Sequence, residues 1–278
     1  MTYDAWRATF ERAIRMPDAE INLAETALIV ASDEYPDLDV TAYLARLDEM
    51  ADTVRARLPK DREPDATLTE LNAYLFDELD FHGNRGEYYD PRNSYLNDVL
   101  ERRTGLPITL CIVVLALAQR LNLPIYGVGL PGHFVVKWKD AQREIVFDPF
   151  HGGEILDRAT MQARVRETVN PLAPFHASWL EAVSAKYILI RLLHNLKAVY
   201  VRAEELERAW RVVDKLLLLD PRAGDEIRDF GLLSLRLGAF RQAAISLEQY
   251  LLSHADASDA AQMGVYLRRA LEQVERLN

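Results

Sequence analysis

Apolar residues at Ile21, Ala24, Leu28 and Ile29 recur at steps of three and four, the spacing of one helix face. Pro17 and Asp18 stand where such a helix opens, and Pro36 closes the segment after it. A further helix is expected from about Val40 to Leu58, with Tyr43, Leu44, Leu47 and Met50 as its apolar stripe. The polar run Pro59 to Pro64 reads as a linker. Thr67 to Phe81 is again helical, and Thr67 with Glu70 has the spacing of a capping box. The stretch from His82 to Asn97 holds Gly83, Gly86, Pro91 and several tyrosines, is too polar for a core, and reads as a structured loop. Leu106 to Leu121 is apolar almost all round, which predicts a buried helix. After Asn122 the pattern turns to short β-branched runs: Ile125 to Leu130, His133 to Trp138 and Glu144 to Asp148. They are separated by Pro131-Gly132 and by the charged turn Lys139 to Arg143. A buried helix followed by a small antiparallel meander defines an α+β unit in a mostly helical chain.

This pattern divides the chain into a helical segment, residues 1–62, an α+β core, residues 63–160, and a helical tail, residues 161–278. The tail repeats. A shift of about 34 residues, the tetratricopeptide period, lays Leu196 on Phe230, Ala209 on Ala243, Val213 on Leu247 and Leu217 on Leu251. Tyr200, Ala209 and Pro221 stand where that repeat has an aromatic, a small residue and a helix-ending proline. In the second copy Phe230-Gly231 fills the corresponding place, and Gly238-Ala239-Phe240 sits in the turn. The helix Ala260 to Leu277 then serves as a cap. The bland alternative is two helix pairs that share a length. Tyr200, Trp210 and Tyr250 are core or groove aromatics in this tail. A stack of this kind presents a concave face that takes peptides or helices, although packing against the α+β core can be its whole purpose.

Composition narrows the function classes. Of 278 residues, 49% are hydrophobic and 27% charged, an ordinary soluble balance that excludes a wholly disordered chain. One cysteine rules out an intramolecular disulfide and argues against a cysteine-rich zinc site. The net charge of −10 argues against direct nucleic-acid binding. The basic cluster Arg202, Arg208, Arg211 is interleaved with Glu204, Glu205 and Glu207, as on a solvated helix face. Met1 to Phe10 has no cationic start followed by an apolar core, so no leader is expected. The longest apolar stretch, Leu110 to Ala118, falls far short of the ~20 residues a membrane span needs. The expectation is a reduced, cytoplasmic protein without a cofactor and without direct contact to membrane or nucleic acid.

Candidate chemistry lies in the middle segment. Cys111 on the buried helix, His133 at the opening of a strand and Asp148 at the end of a later strand stand in the order nucleophile, base, orienter. Strands joined by one hairpin run about 4.8 Å apart, so His133 and Asp148 can meet if they share a face. The words LNAYLFDELDFHGN (71–84), YYDPRNSYLNDVLERRTGLPITL (88–110), LPIYGVGLPGHFVV (123–136) and DPFHGG (148–153) resemble the transglutaminase-like core of the bacterial Sir B family. That family carries tetratricopeptide-like repeats after the core, in agreement with the tail here. The resemblance implies a papain-like α+β fold, a helix packed on an antiparallel sheet. It also implies a catalytic cysteine at the start of the buried helix, a histidine opening one strand and an aspartate before proline on the next.

His133 and Asp148-Pro149 fit those places. Pro107, Ile108 and Thr109 occupy the helix start, and Cys111 stands one turn further in. The family often has serine at the nucleophile place, which implies an incomplete catalytic set. Three readings of the thiol position stay open. Cys111 is a small buried core residue, which is favoured; or Cys111 is the nucleophile; or Thr109 is a weaker surrogate. A metal reading with His133, Asp148, His151 and His82 lacks a diagnostic spacing, and no metal site is assigned. In the loop, Tyr88, Tyr89, Arg92 and Asn93, with Tyr95, either line a ligand cleft together with His151 or tie the loop to the core. Two functions follow. The first is a binding or regulatory protein that has lost catalysis and acts on a protein or peptide partner. The second is a thiol hydrolase or acyltransferase acting on amide bonds through Cys111, His133 and Asp148.

Overall fold

The first helices form where the apolar stripes predict them. The computed structural model of the chain describes residues 3–169, 172 and 174–277. Helix α1 (Tyr3–Ile14) buries Trp6, Phe10 and Ile14, four residues apart on one face. Helix α2 (Leu23–Ala31) is capped by Asn22, whose side chain accepts the Glu25 N–H. Asp18 does not open it. Asp18 begins a separate 3-10 turn, Asp18–Glu20, and its carboxylate accepts the N–H groups of Ala185 and Lys186 at 2.9 and 3.0 Å. Helix α3 (Val40–Arg57) starts from an Asp39 cap and buries Leu47, Met50, Ala51 and Val54. Helix α4 (Pro64–Asn72) begins inside the expected linker, with Glu63 accepting the Ala66 N–H and Pro64 in the first turn. Pro64 presets the helical φ, so Thr67 already lies within the helix, buried, and the Thr67–Glu70 box does not form. The helix runs on as a π-helical stretch, Ala73–Glu78.

Strand β1 (His82–Gly83) pairs in parallel with β2 (Thr104–Gly105), and helix α5 (Leu96–Arg102) lies between them in the chain. Helix α6 (Pro107–Leu121) follows, ended by Asn122 in the left-handed region at φ 52°. A helix with no polar face has to be covered on all sides. α2, α3, α4 and the sheet all contribute to one apolar core with it, including Leu28, Leu47, Val54, Leu71, Phe134 and Phe147. The sheet is antiparallel, in the order β3 (Ile125–Val128), β4 (Val135–Lys139), β5 (Glu144–Asp148) and β6 (Glu154–Leu156). Alternate residues divide its faces. Val136 and Phe147 belong to the α6 core. Val135 and Val146 join Leu156, Met161 of helix α7 (Arg158–Thr168) and Trp179 on the other side.

The chain divides into two compact units, Met1–Leu192 and Leu193–Asn278, and α8 (Ala185–Arg202) crosses the division. The second unit continues with α9 (Leu206–Leu219), α10 (Gly224–Arg236), α11 (Phe240–Ser253) and α12 (Ala260–Arg276). The repeat partners are in its interior: Leu196 and Phe230, Ala209 and Ala243, Val213 and Leu247 are all buried. A Cβ on Gly231 would stand 2.8 Å from the Leu247 side chain, so α10 and α11 approach closely through this glycine. Among the described residues no helix is long and apolar enough to cross a membrane.

Candidate functional site

A turn and a strand end build the site. The His133 N–H donates to the Leu130 carbonyl at 3.1 Å across Pro131-Gly132, with Gly132 at φ 72°. A type II turn requires glycine at that place. The turn sets His133 two residues ahead of β4, and Asp148 is the last residue of the neighbouring β5. His133 Nε2 lies 2.7 Å from Asp148 Oδ2. Asp148 is fully buried, and its Oδ1 accepts the Phe150 N–H at 2.9 Å. That bond starts the 3-10 turn Pro149–His151, which brings His151 Nδ1 to 2.8 Å from the same Oδ2. Arg164 of α7 forms an ion pair with this oxygen and reaches Glu154 at 2.5 Å. One buried carboxylate thus gathers two imidazoles, a guanidinium and a backbone N–H.

The electrostatics follow from burial and from the arginines. Burial, then the charges of Arg164, His151 and Arg191, push the His133 pKa down to about 3. Burial and then Arg85 lower His151 as well. Both imidazoles are therefore neutral at neutral pH, and His133 is a weak base. His133, Asp148 and His151 offer three ligand-type atoms within 4.8 Å of one another. The carboxylate oxygen such a cation would use is already paired with Arg164, and the surrounding arginines repel a cation.

Cys111 is fully buried, and its sulfur hydrogen-bonds the Phe134 carbonyl at 3.6 Å, not His133. Burial alone raises its pKa well above the ordinary thiol value. Thr109 is saturated: Oγ1 accepts the Leu106 N–H at 2.9 Å and lies 2.8 Å from the Asn93 carbonyl. Asn93 is buried: its Oδ1 accepts from the Asn84 amide, and its Nδ2 donates to the carbonyls of Glu87 and Tyr88. Arg92 is paired with Asp90 at 2.9 Å. Tyr88 and Tyr89 are exposed and meet edge to face at 5.6 Å, and buried Tyr95 meets Tyr35. His82 lies apart from the cluster, bonded to the Asp80 carbonyl and Thr104. The sequence reasoning did not find Arg164, nor Arg191, whose Nη2 is 3.3 Å from the His133 carbonyl. Arg164 stands between the buried Met161 and Val165 on α7, and those neighbours are its one sequence sign.

A histidine ahead of one strand held by an aspartate before proline on the next, beneath a buried helix, is the arrangement of a transglutaminase-like fold. The family model described as the transglutaminase-like superfamily matches residues 41–194, and that described as the tetratricopeptide repeat matches residues 196–268. A UPF0162 protein of Xylella fastidiosa is 39% identical over 237 residues, 84% of each chain. A UPF0162 protein of Vibrio cholerae is 30% identical over 245 residues, 87% of this chain and 90% of its own. Protein SirB1 of Salmonella typhimurium is 28% identical over 243 residues, 85% and 89% of the two chains. The chain belongs to the transglutaminase-like superfamily and, within it, to the family of UPF0162 and SirB1 proteins. No solved structure matches it significantly.

Proposed function

We propose that this chain is a binding or regulatory protein whose transglutaminase-like core works without a thiol, and that it acts on a protein or peptide partner in a reducing, cytoplasmic setting. The observation that carries this reading is Cys111. Its thiol is fully buried, faces a backbone carbonyl, and is held protonated by burial. A nucleophilic thiol needs the opposite: exposure, a partner base and a lowered pKa. His133 adds support, because an imidazole pushed down to about 3 has little driving force to take a proton near pH 7. The tetratricopeptide-like unit supplies the partner surface. It holds a cavity of about 690 Å³ lined by Val201, Leu232, Arg236, Phe240, Tyr266 and Arg269. Asp229 also lines it but is paired with Lys197 and Arg228, so the apolar walls and two arginines suit an apolar segment carrying acidic residues.

The test is alkylation of the single thiol in native protein across pH. The reading expects no reaction until denaturant is added. A native thiol reacting with a midpoint below about 8.5, moved by His133→Ala, sinks it in favour of an amide-bond hydrolase or acyltransferase.

A further inference from the structure

In the site that the preceding reading leaves without a thiol, donors and acceptors are unevenly spent. Asp148 is an acceptor, so His133 donates from Nε2 and His151 from Nδ1. The remaining nitrogens, His133 Nδ1 and His151 Nε2, are then lone-pair acceptors, and neither has a hydrogen-bond partner among the described residues. Both rings are partly open, with side chains 11% and 28% exposed. Arg164 is spent on Asp148 and Glu154. Arg191 is not: among the described residues its guanidinium touches the neutral His133 carbonyl and no carboxylate. Arg85 has neither hydrogen bond nor ion pair among them, yet its charge reaches His151 and Arg164. It follows β1 closely, and Gly83 of that strand lies directly against the Phe150 ring beside His151. Arg191 thus lies against His133, and the Arg85 charge acts on His151, so each imidazole has a cation beside it that no carboxylate holds among the described residues.

We infer that the outer side of the His133–His151 pair, with Arg85 and Arg191, is a carboxylate-binding site that takes the C-terminal residue of a peptide. The two guanidinium forks match a carboxylate. The two imidazole lone pairs need an N–H, and the last amide of a peptide places one beside the carboxylate. A phosphate dianion meets the arginines but sets its own lone pairs against those of the imidazoles. A metal cation meets the lone pairs but not the guanidiniums. Exposed Tyr88, within reach of the Arg191 charge, and Tyr89 offer aromatic edges to the peptide's last side chain.

The test uses the full chain and N-acetyl-glycyl-phenylalanine, as the free acid and as the C-terminal amide, by titration calorimetry at low salt. The acid is expected to bind at least about tenfold more tightly than the amide, the value of one charge-assisted contact. Arg85→Gln, which breaks no contact of the fold, removes that preference, and Arg191→Gln does the same. Equal binding of acid and amide, or no binding of either, overturns the inference. Inorganic phosphate displacing the acid at lower concentration than acetate plus an N-methyl amide assigns the site to phosphate and overturns it too. Turnover of either peptide, read by mass spectrometry on the same samples, overturns the non-catalytic reading by itself; the acid-to-amide binding ratio still decides this one.

Discussion

Asp148 holds more of the site than any other side chain. Asp148→Ala leaves the Arg164 guanidinium, 15% exposed, with Glu154 alone and two imidazoles without their acceptor. Breaking a buried pair from one side costs about 3–5 kcal/mol, and that loss is expected in urea unfolding. Arg92→Ala is the contrast. Its pair with Asp90 sits on a side chain 54% exposed, so no measurable shift of the urea midpoint is expected by the same method. A loss for Asp148→Ala as small as that would mean that water, not Arg164, carries the carboxylate. At this scale half of the site was legible. His133 and Asp148 are tied by hairpin geometry, and His151 by a three-residue turn, so local rules reach all three. Arg164, Arg191 and Arg85 arrive from separate elements, and no periodicity links them to a histidine. Cys111 illustrates the converse: a cysteine among apolar residues reads equally as core or nucleophile until its neighbours are seen.

Two glycines separate space from backbone strain among the elements. Gly132 sits at φ 72°, and a Cβ there would run into Thr168. Gly132→Ala therefore meets strain and a clash, and a loss of about 1–3 kcal/mol is expected from the shift in urea midpoint. Gly86 has open space and no positive φ, so Gly86→Ala is expected to be neutral or to stabilise by up to about 1 kcal/mol. Equal losses at both would mean that neither the positive φ nor the Thr168 contact sets the cost at Gly132. The elements themselves were read well where burial sets the pattern. α6 lies within a residue of its expected bounds, because no glycine or proline interrupts the run between Pro107 and Asn122. The strands were harder. β4 begins at Val135 and not at His133, since the Pro131-Gly132 turn uses the intervening residues, and β6 has three residues, too few for an alternation to register. The start of α4 was missed because Pro64 looked like the end of a linker when it is the first turn of a helix.

For the whole molecule, the repeat was legible at a distance because both copies bury the same positions, Ala209 with Ala243 and Val213 with Leu247. The acid response was not, since it depends on which groups the fold buries. The unfolded His133 takes a proton as pH falls through 6.5, whereas the folded one resists until about 3. Between those values the unfolded chain binds the extra proton, so each step down in pH weakens the fold. Glu226 adds to this in the tetratricopeptide-like unit. Burial raises its pKa, but hydrogen bonds from His194 and Lys197 outweigh burial and hold it below the ordinary carboxylate value. A depressed carboxylate contributes stability above its unfolded pKa and loses it as pH falls through the folded one. Stability is therefore expected to fall from pH 6.5 downward, with His133→Gln flattening the upper part of that slope and leaving the Glu226 part in place. The check is urea unfolding at a series of pH values. A His133→Gln slope parallel to that of the native chain between pH 6.5 and 4.5 would mean that the folded imidazole already carries its proton there, and that Asp148, not burial with Arg164 and Arg191, sets its charge.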